Sequence, residues 1–278
     1  MHVSELRNQL RPPCPALDVH VHPLHCFGPH KVETPEEDAR LLIETGARAG
    51  VAKMCIFSLC PGVPREPTME ECREANDYVK RLRDIAPDVF LPFCYVTPQF
   101  PEESAAEIDR CAGGMRFPGV KLWVARRATD PGLDPICEAA IGHDVPLLQH
   151  SWIKTTGNLP GESFPSDVAA MARRHPKARF IMAHLNGGGL QGIEDVKDCP
   201  NIAVDTSGGD PESGIVETAV ERLGPSRVVY GSDMPVRQLG TQLGKTLGTR
   251  LPLQVKKDIL WNNAARLLPD WAGVEVLK

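Results

Sequence analysis

Ala16-Leu17-Asp18-Val19-His20-Val21-His22-Pro23 is the stretch on which the reading of the fold turns. Asp18, His20 and His22 alternate with Leu17, Val19 and Val21, the two-residue period of a β-strand. Residues i and i+2 of a strand share a face, so the two imidazoles stand roughly 7 Å apart and point the same way. At that spacing both rings can converge on one ion. A histidine pair alone is more often surface or ordinary core, so the reading requires further ligands at equivalent places on other strands.

Working outward, seven more apolar segments read as strands, at 51–59, 88–96, 119–124, 145–150, 179–184, 201–206 and 227–233. Helical spacing fills the gaps. Thr34 caps a first helix with Pro35 in its opening turn, and a second runs from about Thr68. Others are expected at 101–111, 133–141, 164–175, 212–223 and 253–268, with a weak one at 192–197. Pro92 denies the third strand one ladder donor. The links are too long for hairpins and suit parallel crossovers. Eight such alternations in 278 residues predict an α/β fold, a (β/α)8 TIM barrel forming one domain over 1–278. An open doubly wound sheet would need a Gly-rich phosphate loop after its first strand, and none is there.

Composition narrows the partners. A net charge of -5 argues against nucleic acid and acidic membrane surfaces. The nine cysteines are odd in number and form no CxxC pair, so reduced, mostly buried thiols are expected. The first residues lack the apolar core of a signal peptide, and no run approaches a membrane span. A cytoplasmic enzyme acting on a small molecule is the expectation.

In a parallel barrel every strand ends at one rim, where active sites lie. The strand ends carry His20 and His22, Lys121 on the fourth strand, His150 on the fifth, His184 on the sixth and Asp233 on the eighth. The remaining histidines, at positions 2, 25, 30, 143 and 175, fall in loops or at helix ends. Imidazoles with a carboxylate suit Zn2+, with Mn2+, Fe2+ or Co2+ as substitutes. Such an ion makes hydroxide available at neutral pH, and Asp233 is the candidate to carry the proton. The alternative for Asp233 is an N-cap.

These residues resemble the amidohydrolase superfamily, and more closely its second family, which includes aminocarboxymuconate-semialdehyde decarboxylase and the dicarboxylate lactonases. Besides Asp18-Val19-His20-Val21-His22, the resemblance rests on Gly119-Val120-Lys121-Leu122, Pro146-Leu147-Leu148-Gln149-His150, Ala183-His184-Leu185-Asn186-Gly187-Gly188 and Val204-Asp205-Thr206-Ser207-Gly208. Gly231-Ser232-Asp233-Met234-Pro235 and Asn262-Asn263-Ala264-Ala265-Arg266-Leu267-Leu268 complete it.

The resemblance implies ligation of one ion by His20, His22, His150 and Asp233, with His184 bonding the reacting water or polarising substrate. It also implies a homodimer. In two-metal relatives a lysine at the position of Lys121 is carbamylated and bridges two ions. Here Lys121 is that bridge, a cation for a substrate carboxylate, or half of a structural ion pair. Asn186 stands where many relatives have glycine. Trp152, Asn186 and Arg237 are further substrate-binding candidates, and Arg126, Arg127, Lys154, His25 and Cys26 also lie near the rim. Gly187-Gly188-Gly189 lacks the Lys-Ser/Thr of a phosphate loop and reads as backbone freedom beside the site. The expected activity is hydrolysis of an amide, ester or lactone carbonyl of a small substrate, carboxylated if the basic residues serve it. Non-oxidative decarboxylation on the same ligands is the alternative, and a barrel without chemistry is a third reading.

Overall fold

The computed structural model describes residues 11–27, 31–209 and 212–277. Within them eight parallel strands pair in chain order: β1 (Ala16–Val21), β2 (Val51–Ile56), β3 (Phe90–Tyr95), β4 (Gly119–Leu122), β5 (Leu147–His150), β6 (Phe180–Ala183), β7 (Ile202–Asp205) and β8 (Val228–Val229). The ring is the expected (β/α)8 barrel. The last strand is shorter than its apolar run: Tyr230 sends its N–H to the Ile259 carbonyl, and the Gly231 N–H goes to Thr206 Oγ1 rather than to a ladder carbonyl. The chain then closes on β1 through Val19 N–H to Tyr230 O (3.0 Å), Asp233 N–H to His20 O (2.8 Å) and His22 N–H to Met234 O (2.7 Å). Asp18 adds a stitch, its Oδ1 accepting the N–H groups of both His20 (3.0 Å) and Ser232 (2.9 Å). Barrel closure and the rim histidines are therefore one construction.

The helices begin where their caps say. Thr34 Oγ1 accepts the Glu37 N–H, and α1 (Pro35–Ala49) stops at Gly50 in the left-handed conformation, φ 79°. Thr68 and Glu71 cap each other reciprocally to start α2 (Met69–Ile85), satisfying two otherwise orphaned donors. α3 (Pro101–Ile108), α4 (Asp134–Gly142), α5 (Pro165–Arg174) and α7 (Ile215–Leu223) follow the expected pattern.

Three elements differ from it. α6 (Leu185–Val196) begins directly after His184 and kinks at Gly189, φ 56°, so the segment expected weakly at 192–197 is a longer helix leaving the rim. α8 (Leu239–Leu247) occupies what reads as a loop. Its glycines lower helix propensity, yet Leu239, Leu243 and Leu247 are buried one turn apart. The last helical stretch spans its expected range but widens midway: α9 (Leu253–Lys257) runs on into α10 (Asn263–Leu267) through one π-helical turn at Asp258–Asn262. Among the described residues no helix is long and apolar enough to cross a membrane.

Leu17, Val19, Cys55, Phe57, Leu91, Phe93, Leu148, Ile181 and Val229 pack together within the barrel, and a second layer fills the space between strands and helices. Gly119 faces Phe93 across the β3–β4 ladder, where an added Cβ would lie 2.5 Å from the ring. Gly119→Ala is expected to cost ~1–3 kcal/mol by overpacking, read as a lowered midpoint in urea denaturation with an unchanged slope.

Candidate metal centre

β1 does not alternate as simply as its sequence suggests. The β1–β2 register shifts between Asp18 and Val21. Leu17 and Val19 consequently join the barrel interior, while His20 and His22 still reach the cavity at the rim. Asp18, expected on the histidine face, instead serves the backbone stitch described above.

Four buried imidazoles and one carboxylate meet there. The Nε2 atoms of His20 and His22 lie 3.4 and 3.3 Å from Asp233 Oδ1. His184 Nε2 lies 3.2 Å from His150 Nδ1, and ligand atoms of His20, His184 and Asp233 fall within 4.8 Å of one another. Asp233 is held in a left-handed conformation, φ 60°, a strained geometry for a residue with a Cβ.

The outward ring nitrogens decide the chemistry of the inward ones. His20 Nδ1 meets Asp205 Oδ2 at 2.8 Å, and His22 Nδ1 meets the Phe57 carbonyl at 3.2 Å. His150 Nε2 meets Glu162 Oε1 at 2.8 Å. His184 Nδ1 meets Ser207 Oγ at 2.6 Å, and that hydroxyl gives its own proton to Asp205 Oδ1. Each outward nitrogen thus faces an acceptor and carries the N–H. Burial lowers the proton affinity of all four rings, most for His20 and His184. The inward nitrogens of these neutral rings are bare lone pairs, clustered with a carboxylate that burial raises but His22 and His20 hold below its ordinary value.

Lone pairs at 3.2–3.4 Å with no proton between them repel, and leaving buried acceptors unpaired is costly. A divalent cation resolves both problems. Imidazole nitrogen and carboxylate oxygen are ligands that zinc and its first-row neighbours take, so the donor set fits the ion expected from the sequence. Every ring is also fixed by an outer partner, the usual construction at metal sites.

The cavity beside this cluster measures about 250 Å³. Lys121, Trp152, Lys154 and Arg237 line it. Burial lowers the Lys121 amine to about 7 against the pull of Asp233 and Asp205, and its Nζ stands 4.7 Å from the Phe57 ring centre. Arg237 lies over Trp152, 5.9 Å from its ring, and its buried Nε has no hydrogen-bond partner among the described residues. Gly187 lies against Trp152, where a Cβ would come within 2.8 Å of the indole; this accounts for the glycine run better than a phosphate would.

Other candidates fall elsewhere. Asn186 is not among the residues lining the cavity, and its backbone N–H goes to Ser207 O. Arg126 pairs with Glu66 at the surface and Arg127 grips Asp167 with two 2.8 Å bonds. Cys26 meets Ser58 and His25, which leans on Asp38. His143 and His175 pair with Asp109 and Asp134. His2 and His30 lie outside the described residues. Asp205, Ser207 and Glu162 were not foreseen as site residues; Asp205-Thr206-Ser207 at a strand end was their one visible trace.

A family profile described as Amidohydrolase matches residues 17–269, and this range takes in the whole cluster. The chain belongs to the amidohydrolase family. It is 25% identical to an L-fucono-1,5-lactonase from Burkholderia ambifaria over 71% of this chain and 70% of that one. In fold it resembles the 5-carboxyvanillate decarboxylase of Sphingomonas paucimobilis (TM-score 0.72, 18% identity, 93% of this chain and 98% of that one). It also resembles a dihydroxybenzoic acid decarboxylase from Polaromonas sp. JS666 with bound manganese and the inhibitor 2-nitroresorcinol (TM-score 0.68, 19% identity, 91% and 95%).

Removing an outer partner of an amidohydrolase ligand should loosen the ion without touching its first contacts. Asp205→Ala is expected to weaken Mn2+ binding by ~10–100-fold, measured by titrating metal-free protein and counting ions per chain by mass spectrometry.

Proposed function

We propose that this amidohydrolase is a metal-dependent hydrolase acting on an amide, ester or lactone carbonyl of a small carboxylated substrate. The observation that carries the reading is the acceptor-only cluster: four inward lone pairs and the Asp233 carboxylate, unsupplied with protons. His20, His22, His150 and Asp233 would hold one ion, with the His184 Nε2 aimed at the same point. Zn2+ is the base case, and the manganese in the Polaromonas neighbour supports Mn2+ as a substitute. An ion held there acidifies water and polarises a substrate oxygen.

The chain's own groups do the rest. Asp233 takes the proton of the attacking water and delivers it to the leaving oxygen or nitrogen. His184, its Nδ1–H committed to Ser207, offers its Nε2 lone pair to that water. Trp152 and the apolar wall keep bulk solvent out. Arg237 and Lys121 receive a carboxylate, since neither has an anionic partner of its own among the described residues and guanidinium matches carboxylate in shape. Lys121 becomes a bridging ligand only if carbamylated, which would add a second ion.

The lactonase relative favours ring opening. The decarboxylases that share the fold keep the second reading alive, in which the same ligands hold substrate and a carbon is protonated as carbon dioxide leaves. The nine unpaired thiols support a cytoplasmic enzyme, and a homodimer is the expected assembly, with no nucleic-acid or membrane partner.

Chelation should abolish turnover of sugar-acid lactones and Zn2+ or Mn2+ should restore it, followed by proton release in a weakly buffered assay. Carbon dioxide evolution from hydroxybenzoates without lactone opening would overturn hydrolysis in favour of decarboxylation. Arg237→Met should raise KM for a carboxylated substrate by about tenfold or more, the loss of a charged hydrogen bond, and leave KM for its uncharged ester within about twofold. Equal effects on acid and ester would remove Arg237 from carboxylate binding.

A further inference from the structure

The segment after β5 leaves the rim at Ser151 and returns twelve residues on from His150 to place Glu162 against that histidine. Glu162 is 2% exposed, an expensive position for a carboxylate unless paired. Its partners are all accounted for. Lys154 Nζ reaches both oxygens at 2.8 Å, the Leu159 N–H reaches Oε2 at 2.8 Å, and Oε1 takes the His150 Nε2–H. The strap is closed on itself by Trp152 N–H to Ser163 O (3.0 Å) and tied to the helix that leaves the rim after His184 by Ile153 N–H to Gly187 O (2.9 Å). Gly161, φ 78°, presses against the Val124 and Ala125 carbonyls, an approach that a side chain would block.

From this we infer that Glu162 is the positioning residue of the metal centre and Lys154 its clamp. The strap fixes which His150 nitrogen faces the ion, so metal affinity is written partly in a loop outside the barrel. The inference rests on the metal reading of the preceding subsection. Without Glu162, His150 can carry its proton on Nδ1, or turn, and its lone pair is withdrawn from the cluster. Trp152, Lys154 and Leu159 of the same strap also line the cavity, so the substrate wall and the ligand are set by one segment.

Metal-free wild type, Glu162→Ala, Glu162→Gln and Lys154→Met would be titrated with Mn2+ by calorimetry, with thermal melts of each metal-free protein alongside. Glu162→Ala is expected to bind ~10–100-fold more weakly. Glu162→Gln should recover most of that loss, because its amide oxygen still accepts the Nε2–H, and Lys154→Met should fall between. Wild-type affinity in a folded Glu162→Ala protein overturns the assignment. So does a Gln variant as weak as the Ala variant when both melt equally early, the mark of a merely structural role. Should Glu162→Ala fail to fold, unchanged affinity in Lys154→Met overturns it instead. A wild type that takes up no ion sinks the metal reading itself, an outcome distinct from all of these.

Discussion

The site depends on four N–H groups that point away from it. Asp205, the Phe57 carbonyl, Glu162 and Ser207 each accept one imidazole proton. Because a neutral imidazole has only one N–H, fixing it outside leaves a lone pair inside, and four such choices made together create a donor cluster suited to a cation. The hydroxyl of Ser207 shows how tightly the choices are linked. It is committed to Asp205, so it can only accept from His184, while Asp205 itself is occupied by His20. One carboxylate thereby sets the tautomer of two rings from different strands.

This arrangement explains why the barrel closes as it does. An ordinary β8–β1 ladder would spend the backbone of residues 230–234 on regular pairing. Here the pairing is reduced to a single parallel bridge, Val21 to Met234, with the Asp233 N–H on the His20 carbonyl and the His22 N–H on the Met234 carbonyl. These bonds bring the Asp233 carboxylate, four residues past β8, within 3.4 Å of His20 and 3.3 Å of His22. The left-handed φ of Asp233 belongs to the same irregularity. Local backbone regularity is given up where function needs a side chain re-aimed, as is common at barrel rims.

Much of this was legible in the chain. Strand ends announce themselves by apolar runs that finish in a polar residue, and every rim residue read that way, from His20 to Asp233, does converge. Caps such as Thr34 and Thr68 were equally readable because they are local chemistry. What could not be read has a common cause in sequence separation. Asp205 meets His20 across 185 residues, and no periodicity marks it, since an aspartate ending a strand is also a common turn residue. Glu162 sits among glycines and prolines that read only as a loop. The β1 register shift leaves no trace in the alternation of Asp18, Val19 and His20, and so Asp18 was put on the wrong face. α8 was hidden because Gly240 and Gly244 weaken its propensity while its leucine stripe at 239, 243 and 247 is stabilised only by the packing surface beneath it.

The two kinds of outer partner differ in how far they can move. Phe57, Asp205 and Ser207 belong to the barrel wall or its immediate continuation, where parallel pairing and burial hold the backbone. Glu162 belongs to a connection whose position depends on a handful of hydrogen bonds and on Gly161 lying flat against the end of β4. Burial raises the Glu162 carboxyl, yet His150 and Lys154 hold it down at about 2, so it is an ionised acceptor at neutral pH. The strap's other cavity-facing residues, such as Leu159, make no bond to His150 through their side chains; that task falls to the Glu162 carboxylate alone. The rim thus divides its work: the wall orients three of the imidazoles, and the loop that lines the cavity orients only His150.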